Sequence, residues 1–197
     1  MKNTLIQFIR PAMALCLLVL GAVVYSCQEQ SNKEVTQGDS NASELTIHAA
    51  VFMGDLEALK AHIAGGTDLN TKDDFGSTSL AIAATFGKTE MAKMLIEAGA
   101  GINVKAADGS TPLHTAAFFC RTEIVKMLLE KGCDTEVRNA FGSTALESVT
   151  SSFKQIKPFY LQREKQLGPL GLKLDYERLE NTRPEIAQMI SDYQQKQ

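Results

Sequence analysis

Residues 108–138 decide the fold, and they read D-G-S-T-P-L-H-T-A-A-F-F-C-R-T-E-I-V-K-M-L-L-E-K-G-C-D-T-E-V-R. The pattern of this stretch returns in either direction after one fixed interval. The positions that keep the interval are Gly76, Gly109 and Gly142, then Leu80, Leu113 and Leu146, and finally Gly66, Gly99 and Gly132. Chance similarity does not hold one register through whole repeats, so the sequence predicts a solenoid of stacked helix-turn-helix units.

Four units follow from this register: residues 43–71, 73–105, 106–138, and a fourth that begins at Asn139. In the third unit, Ile124, Val125 and Leu128 recur at helical spacing and predict the apolar face of an outer helix. The small Ala116 in the preceding helix lets neighbouring units approach closely. The predicted fold class is therefore all-α, with the repeats covering residues 43–149.

The third unit resembles an ankyrin repeat in two motifs, T-P-L-H-x-A-A at 111–117 and E-I-V-K-M-L-L-E-K-G at 123–132. The resemblance covers residues 43 to about 150 and resumes near 182. It implies an ankyrin-repeat solenoid of about four units joined by short β-hairpin-like loops. It also implies a concave face, built from loop tips and inner helices, that usually binds another protein.

The fourth unit starts in register and then departs from the pattern. The spacing of Val149, Phe153, Ile156 and Phe159 predicts that its inner helix continues, with a kink or an end near Pro158. Residues 182–193 resemble the missing outer helix, with a capping box of Thr182 and Glu185 and with Pro184 in the first turn. Residues 150–197 are thus an insertion and C-terminal helices. The insertion is a cap for the stack or an arm that extends the partner surface, and its helically spaced aromatic residues favour the cap.

The resemblance implies partner contacts at the positions that vary among ankyrin repeats. We expect them at Asp74, Phe75, Ser77, Thr85, Phe86, Ala107, Asp108, Ser110, Phe118, Phe119, Phe141 and Ser143. Phenylalanine at five of these positions is more apolar than a solvated surface requires, and clustered aromatic side chains are typical interface anchors. Of adjacent phenylalanines such as Phe118 and Phe119, we expect one to pack inward.

His114 and the two cysteines of the third unit are candidates for chemistry. The resemblance implies a structural role for His114, a hydrogen bond that links neighbouring hairpins, with His48, Ala81 and Glu147 at the matching positions. No nucleophile, acid or metal-spaced partner accompanies it, so we expect neither a catalytic site nor a metal or cofactor.

Cys120 stands where Gly54 and Gly87 stand in the earlier units, which predicts a reshaped or strained turn. We expect Cys133 to be buried and Cys120 to be the more exposed of the two thiols. The outer helix separates them by about 15 Å, too far for a disulfide. An inert Cys120 is favoured over a redox sensor because no basic group beyond Arg121 adjoins it.

Residues 1–26 have the pattern of a targeting segment. Lys2 and Arg10 precede an apolar run over residues 12–24, which is too short for a comfortable membrane span. The segment 24–27, V-Y-S-C, resembles a bacterial lipoprotein signal, in which Cys27 is lipidated and becomes the first residue of the mature protein. An uncleaved anchor and an ordinary secreted form are the alternatives. Residues 28–42 hold one large apolar residue and predict, with Cys27, a flexible tether over residues 27–42.

The charge balance argues against a nucleic-acid partner. The chain has 20 basic and 23 acidic residues, and without Lys2 and Arg10 the remaining 18 basic residues give a net charge of −5. These features favour a monomeric, non-enzymatic binding module, lipid-anchored in the bacterial envelope, with an unknown protein partner. Gln28 after the cysteine implies the outer membrane. The alternative is a stabilising, protective or immunity factor for an envelope enzyme or toxin.

Overall fold

The structure, a computed structural model, describes residues 45–197, and the regular elements in that range are helices. Seven of them are α1 (Ile47–Met53), α2 (Leu56–Ala64), α3 (Ser79–Phe86), α4 (Thr89–Glu97), α5 (Pro112–Phe118), α6 (Thr122–Glu130) and α7 (Ala145–Thr150). Then come α8 (Phe153–Leu167), a 3-10 turn (Gly168–Leu170) and α9 (Tyr176–Gln194). Within this range the extended pairing is an isolated bridge between Lys72 and Thr78. The all-α prediction is confirmed.

The helices form four antiparallel pairs, α1 with α2, α3 with α4, α5 with α6, and α7 with α9. The first helix of each pair packs against the next, which gives an inner row of α1, α3, α5 and α7. Helices α4, α6 and α9 pack in turn as an outer row. The fourth pair is interrupted by α8, since that helix lies between α7 and α9 in the chain.

The core is continuous through the stack because every unit supplies the same kinds of side chain. Ala83 and Ala116 have no exposed surface, and they allow the inner helices to lie close together. Leu80 and Leu113 are buried at equivalent positions, whereas Leu146, at the same phase in the fourth unit, is half-buried. The difference follows from position, since the units of Leu80 and Leu113 have neighbours on both sides and the fourth unit is the last.

Threonine begins each inner helix, because its side chain satisfies a backbone N–H that the first turn leaves free. Thr78 Oγ1 accepts from Ala81 N at 3.3 Å, and Thr144 Oγ1 accepts from Glu147 N at 3.2 Å. The same helix in the third unit begins with Thr111 as its N-cap and Pro112 as its first residue. These positions confirm the start that the T-P-L-H motif predicts.

The turn after the inner helix of each of the first three units has a left-handed backbone, which glycine adopts without strain. Gly54 and Gly87 provide it with φ of 82° and 66°. Cys120 keeps the same conformation, with φ of 51°, and is the non-glycine residue in 45–197 with positive φ. A residue with a side chain in this left-handed region costs roughly 1–2 kcal/mol, so the turn is strained as predicted. Its backbone conformation is nevertheless the same as that of the glycine turns.

The inner helix of the fourth unit does not continue through the insertion, and that prediction is wrong. Helix α7 ends at Thr150, and Ser151 and Ser152 are extended, with ψ of 145° and 143°. Helix α8 then starts anew at Phe153 and runs through Pro158 without ending there. Because the phase restarts, the buried side chain near the middle of α8 is Tyr160, while Phe159 is exposed.

The outer helix of the fourth unit starts seven residues earlier than the sequence predicts, with its N-cap at Asp175 instead of Thr182. Helix α9 begins after Asp175, whose side chain accepts from Arg178 N at 3.0 Å, so Thr182 and Pro184 lie inside the helix. The predicted capping box of Thr182 and Glu185 is therefore wrong. The extension is stabilised by Leu179, which is fully buried in the added turns.

Helix α8 lies against the third unit. Tyr160, Cys120 and Leu179 form a small buried cluster, with Phe118 and Phe153 packed at its edge. The rings of Tyr160 and Phe118 are 4.4 Å apart between centroids. The insertion thus covers the end of α5 in the third unit, while an open pocket of about 450 Å³, lined by Leu146 among others, lies between α7 and α9. This placement differs from a simple cap on the last unit.

Arginine side chains satisfy carbonyl groups where inner helices end. Arg121 Nη2 donates to Thr85 O at 2.9 Å, at the end of α3. Arg178, from α9, donates to Cys120 O at 3.1 Å and to Phe119 O at 3.4 Å, just after α5. The last carbonyls of a helix lack partners inside the helix and carry partial negative charge, so cationic donors at this position are stabilising.

Arg183 does the same for α7 and ties three elements together. It is 3% exposed, and its Nη2 donates to Ser148 O at 3.0 Å and to Ser151 O at 2.8 Å. Its Nη1 donates to Tyr160 Oη at 3.0 Å, and Tyr160 Oη donates to Phe118 O at 2.6 Å. Burial raises the pKa of Tyr160 to about 12, so the phenol keeps its proton and can donate.

Replacing Arg183 by alanine is expected to destabilise the fold by about 3 kcal/mol, because three hydrogen bonds from a charged donor are lost and buried acceptors are left unpaired. Urea unfolding monitored by circular dichroism measures the change. Arg138, which pairs with Glu147 at the surface, is the control, and Arg138→Ala is expected to cost less. Equal losses for the two variants would show that the Arg183 network does not hold the C-terminal part together.

Candidate functional site

The loop tips present the most exposed of the predicted partner-binding residues. Phe75 is 84% exposed and Phe141 is 68% exposed, and both occupy the residue before the glycine of their loop. Asp74 and Ala107 are also exposed. An exposed phenylalanine thus occupies the same loop position in two repeats. Packing within the described residues does not account for either side chain.

The three serines predicted to contact a partner stabilise the loops and expose little of their side chains. Ser77 N donates to Asp73 Oδ1 at 2.8 Å, and Ser143 N donates to Asn139 Oδ1 at 3.2 Å. Ser110 is held similarly by Asp108, at 3.0 Å. All three serines are half-buried. They shape the tips that carry the exposed phenylalanines.

The inner-helix positions divide between an open part and a covered part. Thr85 and Phe86 are half-buried on the second unit, and the Phe86 ring packs edge-on against Phe52 with centroids 4.9 Å apart. On the third unit, Phe118 lies against Tyr160 and Phe119 is only 5% exposed. The expectation that one of the adjacent phenylalanines packs inward holds for Phe119, and Phe118 is covered by α8.

Helix α8 also reaches the loop tip of the third unit. Arg163 Nη2 lies 3.6 Å from Asp108 Oδ2. Together with Tyr160, this contact places α8 over both ends of the predicted surface in that unit. The accessible candidate surface therefore consists of the tips at Phe75 and Phe141 and the inner-helix face around Phe86.

One sequence pattern predicts that α8 covers the third unit, and it differs from the spacing that starts at Val149. Phe153, Ile156 and Tyr160 recur with spacings of three and four, and these are the α8 residues that pack on the third unit. Extending the periodicity from Val149 placed Phe159 on that face instead. The extended Ser151–Ser152 link, which resets the phase, has no strong signature in sequence.

Both cysteines of the third unit are buried and free, Cys120 at 2% and Cys133 at 2% exposure. The prediction that Cys120 is the more exposed of the two thiols is wrong, because the C-terminal segment covers it and its Sγ lies 3.7 Å from Leu179 O. Burial raises the pKa of the Cys120 thiol to about 11, despite three nearby arginines. The thiolate that redox chemistry requires is therefore rare at neutral pH.

The described residues show no cluster of three or more His, Cys, Asp or Glu side chains able to hold a metal ion. Helices long and apolar enough to cross a membrane are likewise absent from residues 45–197. Cys27 and the predicted signal lie outside the described range. The described surface consists of a row of loop tips beside a row of inner helices, partly covered by α8.

Comparison with known proteins identifies the repeats. A family model for ankyrin repeats, in three copies, matches residues 47–139. Residues 47–139 have the ankyrin-repeat fold. The crystal structure of the ankyrin repeat domain of Bcl-3, a unique member of the IkappaB protein family, is similar at 27% sequence identity with a TM-score of 0.51. The match covers 53% of this chain and 46% of that one, so this chain spans less than half of that structure.

No curated protein matches the chain. The ankyrin-repeat fold that the sequence predicted is confirmed, and ankyrin repeats indicate a protein–protein interaction module. Neither the family model nor the similar structure indicates an enzymatic family.

His114 links two ankyrin repeats. Its Nε2 donates to Ser143 O at 3.0 Å, in the loop of the next repeat, and its Nδ1 accepts from Thr111 N at 3.2 Å. Both bonds require the neutral ring with the proton on Nε2. Burial lowers the pKa of His114 below its usual 6.5, because the charged form loses hydration. His48, at the matching position of the first repeat, donates instead to Thr71 O at 3.0 Å, within its own repeat.

The lowered pKa of His114 makes stability depend on pH. The unfolded chain binds the proton more readily, so the free energy of unfolding falls as the pH drops below about 6.5. In His114→Gln, we expect a lower free energy of unfolding at pH 8 and a weaker dependence between pH 6.5 and 5. Urea titrations of both proteins across that range measure it. Identical slopes would contradict a buried neutral imidazole.

Proposed function

We propose that the protein is a lipid-anchored binding module of the bacterial cell envelope, which holds a protein partner on its loop tips and open inner-helix face. Ankyrin repeats indicate the interaction role. The observation that carries the surface assignment is the exposure of Phe75 and Phe141, at 84% and 68%.

The two phenylalanines support a single partner contact because of their register. They lie two repeats apart at the same loop position. Between them stands Asp108, which pairs with Arg163 of α8. Aromatic side chains that lose water on binding are the usual energetic centres of interfaces, whereas scattered exposed leucines are not. A partner that spans the tips would bury both rings at once.

The chemistry of the described residues supports binding rather than catalysis. His114 is held by two backbone groups, and Cys120 is buried with a raised pKa. A catalytic site needs an acid–base pair or a nucleophile with its base inside one pocket. The open pocket near Leu146 is lined by apolar and uncharged polar side chains.

The lipid anchor is proposed from the sequence of residues 1–27. The short apolar run and the V-Y-S-C segment at 24–27 support acylation at Cys27, and Gln28 supports the outer membrane as the destination. Buried acyl methylenes contribute about 0.8 kcal/mol each, so two or more chains make stable attachment. The polar segment 28–42 then acts as a tether, with a reach of about 20 Å.

Replacing Phe75 and Phe141 together by alanine is expected to reduce partner capture at least tenfold, because two interface anchors are lost and the fold is not. Affinity capture from the envelope fraction, quantified by mass spectrometry against the unaltered protein, measures the change. Leu170→Ala, which alters another exposed apolar side chain, is the matched control. Recovery of the same proteins in the same amounts by all three baits would contradict the tip surface.

Replacing Cys27 by alanine is expected to abolish incorporation of a labelled fatty acid and to release the protein from the membrane fraction. Metabolic labelling followed by fractionation measures both effects. Cys16→Ala is the control, since the signal pattern places the acyl group at Cys27 alone. Labelling that persists in Cys27→Ala would refute the anchor and leave the binding surface unaffected.

A further inference from the structure

Helix α8 shows which kind of ligand the inner-helix face of these repeats accepts. It is a segment of the same chain that lies on the third repeat, with Tyr160 against Phe118 and with Arg163 beside Asp108. The aromatic anchor and the cation are three residues apart, so they project from neighbouring positions on one helical face. The contact thus pairs an apolar anchor at the inner helix with a charge pair at the loop tip.

The first two repeats also carry apolar side chains at the end of their inner helices, although the residues differ from those that contact α8. Phe118 corresponds to Thr85 and Phe52, and Phe119 corresponds to Phe86 and Met53, at intervals of one repeat. Exposure increases away from α8: Phe119 is 5% exposed, Phe86 is half-buried and Met53 is 64% exposed. The rings of Phe52 and Phe86 form one apolar patch that continues the row on which α8 lies.

The loop tip of the second repeat, before the helix that ends at Phe86, carries an acidic group without an ion-pair partner among the described residues. Asp74 is exposed and makes no ion pair with any residue of 45–197. It lies one residue before Phe75, which occupies the tip position equivalent to Asp108. A cation beside the patch would therefore find a carboxylate at the tip, as Arg163 finds Asp108.

We infer that the patch of Phe52, Met53 and Phe86, together with Asp74, binds one amphipathic helix of the partner protein, laid beside α8. The partner helix presents an aromatic side chain to Phe52 and Phe86. Three residues further on, it presents an arginine or lysine to Asp74. This inference rests on the proposed function and specifies its partner. Such helix-in-groove contacts are a common mode of peptide recognition.

A peptide that copies residues 153–167, added to the full chain, tests the surface directly. The chain's own α8 has an effective local concentration of about a millimolar or more, so a dilute peptide occupies the open patch rather than replacing α8. We expect weak binding, with Kd on the order of 0.1–1 mM, since an isolated helix of this length is marginal in water. Fluorescence anisotropy of the labelled peptide measures it.

Substitutions on both sides locate the site. We expect Phe86→Ala in the chain, or Tyr160→Ala in the peptide, to weaken binding at least tenfold. Asp74→Lys in the chain is expected to weaken it about threefold, and the peptide with Arg163→Glu to restore binding to that variant. Leu170→Ala is the control and should leave the peptide affinity unchanged. Thermal unfolding of each variant separates loss of the patch from loss of the fold.

Absence of peptide binding, or binding that Phe86→Ala leaves intact, would overturn the inference. A concentration-dependent dimer that Phe86→Ala converts to monomer in sedimentation would also overturn it, because a second copy would then be the occupant. If partner capture still depends on Phe75 and Phe141 while the peptide fails, the proposed function stands and only the helix-binding patch falls. If the peptide binds and capture finds no partner, the patch accepts a helix and the proposed partner binding falls.

Discussion

One buried guanidinium determines how the C-terminal part of this protein is built. Arg183 reaches from the last helix to the carbonyl end of α7 and to Tyr160 of the insertion helix, and Tyr160 in turn reaches Phe118 of the third repeat. No carboxylate neutralises this cation among the described ion pairs. Its charge is compensated by the carbonyl dipoles of Ser148 and Ser151 at the end of α7, which face it when α7 and α9 pack together, and α8 adds the phenol oxygen of Tyr160.

The same network determines which surface is free. Because Tyr160 is fixed from two sides, α8 is a component of the core and not a loose arm. It covers Phe118 and reaches the loop tip of the third repeat at Asp108, and it leaves the first two repeats and the tips at Phe75 and Phe141 open. The position of the insertion therefore narrows the binding surface from the whole row of repeats to one part of it. The division into cap and arm does not describe this arrangement, since α8 seals one repeat and borders the face of another.

Sequence reasoning succeeded where the repeat supplies redundancy. The recurring positions of Gly54, Gly87 and Leu113 predicted the turns and the core. Glycine recurs where the turn needs its backbone freedom, and leucine recurs where the helices pack. The linking role of His114 followed from the resemblance to ankyrin repeats, and the structure shows the corresponding hydrogen bond. The same resemblance placed Phe75 and Phe141 at the loop tips, and their exposure agrees with that position.

Sequence reasoning failed where contacts are long-range and occur once. Cys120 was expected at the surface because nothing within its own repeat covers it, and the covering groups come from about 40 and 60 residues further on. The start of α9 was missed because Thr182, Pro184 and Glu185 form a good local start signal, while burial of Leu179 against a distant repeat outweighs it. Local preference is a weak determinant when tertiary burial competes with it.

The left-handed Cys120 has a consequence for how the array comes apart. In a repeat array, each unit senses only its neighbours, so unfolding can start at either end and advance one repeat at a time. Here the thiol of the third repeat is enclosed by Tyr160 and Leu179, which belong to segments on either side of the 3-10 turn. We therefore expect the third and fourth repeats to open together. Within residues 45–197 the first repeat packs against a neighbouring repeat on one side and has no such fastening, so we expect fraying to begin there.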